Sequence, residues 1–354
     1  MDHVRSAWLA VVLAVPLGLV VQACSGSGGA TTHAPTHGTI AFVAVPSDWR
    51  VAPIAKVVLM RPDGSEQRAV AKGENIWGSW SPNGAKLAFG MKKGPWNRIY
   101  VVNADGSGLR GVSSRMYDDA GGPAWSPNGQ KLVFEGDNDG VRSIYVIHVD
   151  GSGERRLAGG RSSGGAPGIY GGNAWSPDGR KIAFTDRYGR VAVINPDGSR
   201  RRRLTRRASV VWSGASWSPD GRELVFAGYR AIWVVRANGT GLRRLVSATA
   251  AGLEVGSTGG LGLPVWSPDG RKLAFHTRKG LVYVINRDGS GLRSVAHMAK
   301  WPAWSPDGRE LVFTSHADAD GNGDIHVVKA DASGERRLTD SKQEETNPVW
   351  SSAE

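Results

Sequence analysis

The pentapeptide Trp-Ser-Pro-Asp/Asn-Gly begins at Trp80, Trp125, Trp175, Trp217, Trp266 and Trp304, and its first two residues return at Trp350-Ser351. The intervals of 45, 50, 42, 49, 38 and 46 residues suit a four-stranded propeller blade and exceed the period of about 33 to 34 residues of common helical arrays. A chain written in such units is bound to a repeat architecture.

The motif has turn chemistry. In Ser126-Pro127-Asn128-Gly129 a hydroxyl stands at the first turn position, proline presets φ at the second and glycine occupies the fourth. An apolar run follows each turn, as in Lys131-Leu132-Val133-Phe134 and Glu310-Leu311-Val312-Phe313, rich in residue types that favour strands. A third strand follows, for example Arg98 to Val102 or Leu281 to Ile285, then a second turn of the form Asn-x-Asp-Gly-Ser-Gly, as in Asn103 to Gly108. A short basic strand such as Leu242-Arg243-Arg244-Leu245 ends the unit. Each repeat therefore predicts four antiparallel strands.

One such sheet cannot bury both faces, so the sheets must stack around an axis and the ring must close to remove its edges. Asn347 to Ser351 supply only a first strand, whereas Thr39 to Val45, Lys56 to Met60 and Gln67 to Val70 read as strands two to four. The two ends complement each other. The expected fold is an all-β, seven-bladed propeller closed by a composite blade from both termini, with an open solenoid as the alternative. The repeat tryptophans, Trp80, Trp125, Trp175, Trp217, Trp266, Trp304 and Trp350, are expected to be packing anchors between blades.

Trp-Ser-Pro-Asp-Gly, then Lys/Arg-x-Leu/Ile-x-Phe, then Ile-Tyr-Val-x-Asn-x-Asp-Gly, then Arg-Arg-Leu-Thr resembles the repeat of TolB-like (WD-like) propellers over roughly Thr39 to Ser351. TolB itself, as the family is known, carries an α/β domain ahead of a six-bladed propeller and works in the Tol-Pal envelope complex. The sequence ahead of Thr39 has no room for that domain, so the resemblance implies the propeller module and leaves its task open.

Ahead of the repeats, Ala7 to Val21 is apolar, follows Arg5 and is short for a membrane span. It reads as a signal peptide. Val21-Gln22-Ala23-Cys24 resembles a bacterial lipobox, in which a small residue precedes the cysteine that is lipidated. Cys24 is the sole cysteine and so has no partner for an internal disulfide. Plain cleavage near Ala23 is the alternative. The expected organisation is a lipoprotein signal over 1–23, a flexible Gly/Thr/His-rich tether over 24–38, the propeller over 39–351 and a tail of 352–354. The expected location is the outer side of the cell membrane, periplasmic or extracellular, held there by a lipid on Cys24.

The formal charge of +12 and the run Arg200 to Arg203 with Arg206 and Arg207 suggest nucleic acid at first sight. An export signal argues against that, and other outer strands are basic too, as at Arg155-Arg156 and Arg336-Arg337. Charge on an outermost strand discourages edge pairing, and anionic lipid or acidic polymer becomes a secondary attraction.

Propeller topology places both repeated turns on one face and the irregular connections on the other. Specificity usually resides in such loops, so Tyr117, Tyr170, Trp212 and Trp301 become candidate binding anchors for an envelope protein or cell-surface polymer. Asp318, Asp320, Asn322 and Asp324 match the front half of a calcium loop, but Lys329 stands at the twelfth position. A calcium site and an ordinary Asp/Gly hairpin are both open readings, and no cofactor is required. The one Gly-x-Ser-x-Gly match, Gly160 to Gly164, falls in a Gly/Ser-rich loop and lacks the strand-turn-helix setting of a nucleophile elbow. The expected function is therefore a monomeric binding scaffold without catalysis. The alternative is a metal-dependent carbohydrate lyase or hydrolase using His276, His297 or His316 at the channel mouth.

Overall fold

A computed structural model describes residues 38–46, 54–93, 96–113, 117–138, 141–159, 169–186, 188–205, 214–228, 230–249, 260–318 and 321–352, the side chains at 75, 77 and 169–171 aside. The described strands form one seven-stranded and five four-stranded antiparallel sheets. Within the larger sheet the long strand Arg68–Trp80 pairs through its first half with Ala55–Met60 and through its second half with Lys86–Lys93. That strand is the outer strand of one unit and the inner strand of the next, so the sheets comprise seven four-stranded units. Each unit is called here by its anchor tryptophan, with strands a to d running from the axis outward.

The unit of Trp350 joins the two ends of the chain. Its strand a, Glu344–Trp350, pairs with strand b, Ile40–Val45, through Ile40 opposite Trp350 and Ala41 opposite Val349. The composite blade expected from the complementary ends is present.

All seven phenylalanines of the chain, Phe42, Phe89, Phe134, Phe184, Phe226, Phe275 and Phe313, lie on b strands and are at most 2% exposed. The anchor tryptophans are also buried. Their indole N–H groups donate backward around the ring, Trp125 to the Ser79 carbonyl (3.0 Å), Trp175 to Ala124 (3.1 Å), Trp217 to Ala174 (3.2 Å), Trp266 to Ser216 (3.4 Å) and Trp304 to Val265 (3.2 Å). Trp80 donates to Val349 (3.3 Å), across the clasp. A buried indole needs an acceptor, and the inner strand of the preceding blade supplies it. The repeat tryptophan thus links blades as well as filling space.

Both repeated turns lie on one face, where they bond to each other: Ala104 N–H donates to the Ala85 carbonyl, and Val149 N–H to Gln130. The Ser126 hydroxyl accepts from Lys131 N–H (2.9 Å) and donates to Asn128 (2.8 Å), which explains the serine of the motif. In the second turn Asp105 accepts from both the backbone and the hydroxyl of Ser107.

The outer-strand arginines have a use beyond edge charge. Arg110 donates to the Val149 carbonyl (2.7 Å), Arg155 to Asp197 (3.0 Å), Arg202 to Asn238 (2.9 Å), Arg243 to Arg287 (3.1 Å), Arg293 to Asp331 (3.0 Å) and Arg336 to Pro62 (2.9 Å). Arg68 does the same to Ala104. Each guanidinium reaches the second turn of the next blade, and the series returns to its starting blade. For Arg155, Arg202, Arg243 and Arg336 the solvated-edge reading is incomplete: with Arg68, Arg110 and Arg293 they also fasten neighbouring sheets together.

Candidate functional site

The inner strands carry an irregularity three residues before the anchor tryptophan. Gly122, Gly172 and Gly214 hold φ of 56°, 76° and 75° there, and Asn347 and Trp301 hold 55° and 54° at the same position. The pairing register slips beside it, between Gly121 and Ala124 and between Lys300 and Ala303. An extra residue at this point bends the strand, and the left-handed backbone suits glycine but strains a bulky side chain.

Trp301 and Asn347 are therefore the non-glycine residues that hold this backbone, and Trp301 is the bulkier of the two. It lies on Ala299–Trp304 at the irregular face, with the Lys300 ammonium 5.8 Å from its ring centroid and the His276 ring 6.4 Å away, edge on. His276 ends the b strand Lys272–His276 of the preceding blade. Beyond Lys300, His316 Nε2 meets Glu344 Oε1 at 2.9 Å, and Glu344 Oε2 accepts from Gly323 N–H at 2.9 Å. Three blades thus contribute an aromatic face, an ammonium, two imidazoles and a carboxylate to one neighbourhood.

Burial, then the charge of Lys300, pushes the His276 imidazole down to about 4; Nδ1 is sealed from solvent and has no partner among the described residues. Burial alone would raise the Glu344 carboxyl, but the His316 and Gly323 hydrogen bonds and Lys300 together bring it below the ordinary range. At neutral pH the cluster presents Glu344 as an anion and His276 as a neutral ring.

This has a measurable consequence for stability. The folded pKa of His276 lies below its unfolded value, so the unfolded chain gains a proton first as pH falls. The contribution is full at neutral pH and is lost between about 6.5 and about 4, on the order of 2 kcal/mol given partial exposure of the ring. Urea midpoints at pH 7 and pH 4.5 should diverge less in His276→Gln than in the parent protein; an unchanged divergence would assign the acid sensitivity to other groups.

The other candidate anchors fare differently. Tyr117 is corrected from a surface anchor to a core residue: it is 0% exposed, packs edge-on against Phe134 and Tyr145, and its hydroxyl donates to Glu154 at 2.8 Å. A loop residue was drawn inside because the tyrosine fills the gap left over Gly136, where an added Cβ would stand 2.6 Å from its ring. Tyr170 lies on Ile169–Trp175, but its side chain is outside the described residues. Trp212 and Cys24 are outside them as well.

Within the calcium-like segment, Asp320 also lies outside the described residues. Asp324 is fully buried, and its carboxylate takes Arg337 Nη2 at 2.8 Å; Asp318 takes Arg337 Nε at 3.4 Å and His326 Nε2 at 3.3 Å. Asn322 adjoins them in the chain. The charge between the two carboxylates is thus already a guanidinium from the outer strand. His297 sits at the end of the outer strand Arg293–His297, opposite Leu281, and is exposed. Among the described residues no group of three or more His, Cys, Asp or Glu is arranged to hold a metal.

Sequence reasoning missed the partners of Trp301. Lys300 was adjacent and His276 was noted for a different reason; Glu344 had no signal, because only ring closure brings the last strand beside His316.

Stacked four-stranded sheets joined into a ring by tryptophan and arginine define a β-propeller with one regular and one irregular face. Residues 34–163 match the TolB beta propeller domain family, and the remaining described residues continue the same four-stranded units. No curated protein matches the chain in sequence. Among solved structures it is similar to TolB from Acinetobacter baumannii (15% identity, 85% of this chain and 80% of that one, TM-score 0.55). It is also similar to the propeller domain of the Trilobed protease from Pyrococcus furiosus (12%, 87% and 97%, 0.59) and to oligogalacturonate lyase from Vibrio parahaemolyticus (15%, 75% and 73%, 0.50). At these identities the likeness concerns the fold alone.

Proposed function

We propose that the protein is an exported, lipid-tethered propeller that serves as a binding scaffold without catalysis of its own, engaging an envelope protein or cell-surface polymer at the irregular face around Trp301. Trp301 itself carries this reading. A left-handed backbone under a large side chain costs on the order of 1 kcal/mol, and sister blades avoid that cost with Gly122, Gly172 and Gly214. A side chain held at such a cost beside Lys300, Glu344 and His276 suits recognition. The likeness to TolB supports a binding module of this kind.

The rival reading, a metal-assisted lyase or hydrolase at the channel mouth, needs ligands that converge. His316 is engaged with Glu344, and His297 is on an outer strand away from the axis, so the rival has less support.

The test is chemical crosslinking in intact envelopes. Trp301→Gly restores the residue type of the sister blades, so folding should persist with a melting temperature within a few degrees of the parent. The crosslinked adduct should vanish. An adduct formed equally by Trp301→Gly would remove the proposed site. In the same cells Cys24→Ser should move the protein to soluble fractions; a variant that stays with the membrane would remove the lipid anchor.

A further inference from the structure

The geometry points to a second surface: the face formed by the repeated turns docks on an anionic lipid bilayer, so that the ring rests on the membrane and presents Trp301 away from it. The inference rests on the tethered reading above.

The first observation is where the described chain starts. Thr39 N–H donates to Ser351 Oγ at 2.7 Å, and Ser352 Oγ donates to the Pro82 carbonyl at 2.6 Å. Around the axis of this face the turn glycines stack on the preceding prolines, Gly129 on Pro82 and Gly179 on Pro127. The gap between Ser352 and Gly38 takes the place of one such turn. Gly38 therefore enters the ring at the turn face, and it follows Cys24 closely in the sequence. A lipid at Cys24 holds this face nearest the bilayer.

The second observation is charge. In the sector of the Trp175 and Trp217 blades, Arg180, Arg200, Arg201, Arg202, Arg222 and Arg236 are exposed on this face. The carboxylates among them, Asp178, Asp197 and Asp220, are tied to Ser176, Ser199 and Ser218, and Asp220 also holds Arg287 at 2.9 Å. Cations thus outnumber anions where a surface would approach.

The third observation concerns Arg200. The second turn ends in glycine at left-handed φ in five units, Gly108, Gly153, Gly241, Gly291 and Gly334, whereas Arg200 and Glu66 hold that position in the other two with φ of 52° and 53°. With Lys181 and Arg202, Arg200 lines a crevice of about 620 Å³ between the two blades. Asp178 and Asp220 also line the crevice, but both are tied to serine hydroxyls; an exposed arginine beside it fits lipid phosphate, and each basic group near an anionic bilayer adds attraction that falls off within a Debye length.

The experiment uses the exported Cys24→Ser protein, which lacks the anchor, and sedimentation with vesicles. Binding to vesicles containing phosphatidylglycerol should exceed binding to phosphatidylcholine vesicles by roughly ten-fold or more and should collapse between about 0.1 M and about 0.5 M salt. The combination Arg180→Gln, Arg200→Gly and Arg222→Gln should remove most of that excess. Arg200→Gly installs the residue of the sister turns, so the fold is kept. Trp301→Gly should sediment as the parent does, which separates this surface from the partner site: loss of crosslinking with intact vesicle binding, or the reverse, identifies which of the two readings fails. Equal binding to both vesicle types, or an arginine variant that binds undiminished, would overturn the inference. Displacement from vesicles by soluble polyglutamate at equal charge would also overturn it, in favour of an acidic polymer.

Discussion

Truncation after Gln343, which removes Glu344–Trp350, is expected to abolish cooperative unfolding of the ring. The last strand pairs with Ile40–Val45, and Trp350 packs with Ile40, Phe42, Val312 and Ile325 in one buried cluster. It also supplies the acceptor of Trp80 at Val349, and Glu345 N–H donates to the Gly323 carbonyl at 2.8 Å. Without it, Ile40–Val45 becomes an open edge and a buried indole loses its partner. Open hydrophobic edges template aggregation, and deletion of one large buried side chain alone costs about 3 to 5 kcal/mol, a sizeable part of the roughly 5 to 15 kcal/mol by which a typical domain is stable. Calorimetry or near-ultraviolet circular dichroism should show no sharp transition. A truncated chain melting within a few degrees of the full chain would mean that the clasp contributes little.

Trp217→Ala is expected to cost about 3 to 5 kcal/mol, read as a fall in the denaturant midpoint at unchanged slope. Trp217 is 2% exposed, packs between blades with Phe226 and Leu224, and bonds to Ala174 across them. Trp217→Phe isolates the hydrogen bond, because much of the ring survives while the Ala174 carbonyl loses its donor, at about 1 to 3 kcal/mol. Trp350→Phe is the informative partner. Among the described residues Trp350 Nε1 has no acceptor, so the same change should cost less there. Equal losses at the two positions would mean that the indole bonds add nothing beyond packing.

The architecture was legible because its signals are local. The turn Ser-Pro-Asp-Gly needs residues within five positions, and the apolar run after it places a phenylalanine at the same phase in every b strand. Closure was legible from the complementary ends. Other features were written in the chain but easily passed over: Arg110, Arg155, Arg202, Arg243, Arg293 and Arg336 each stand near the start of an outer strand, and Gly122, Gly172, Gly214 and Trp301 each precede an anchor by three residues. Phase within the repeat marked this position, which Trp77 and Asn347 also occupy ahead of Trp80 and Trp350.

Tyr117 and the Asp318 to Asp324 segment show the opposite case. Each looked like a surface element when read alone. Tyr117 is covered because Gly136 leaves room for its ring beside Phe134, and Arg337 meets Asp324 because an outer strand returns alongside its own blade. These encounters depend on which strands lie adjacent across the sheet.

The amino-acid sequence by itself determined the repeat unit, its turns, its buried phenylalanine and tryptophan and the division of the last blade between the two ends. Those properties arise from short-range backbone preference and period-two burial. The tertiary structure decided the grouping of His276, Trp301, Lys300, His316 and Glu344 and the single face that carries both Gly38 and the arginine-rich turns. Those depend on contacts between residues distant in the chain, which form only when the sheets stack and the ring shuts.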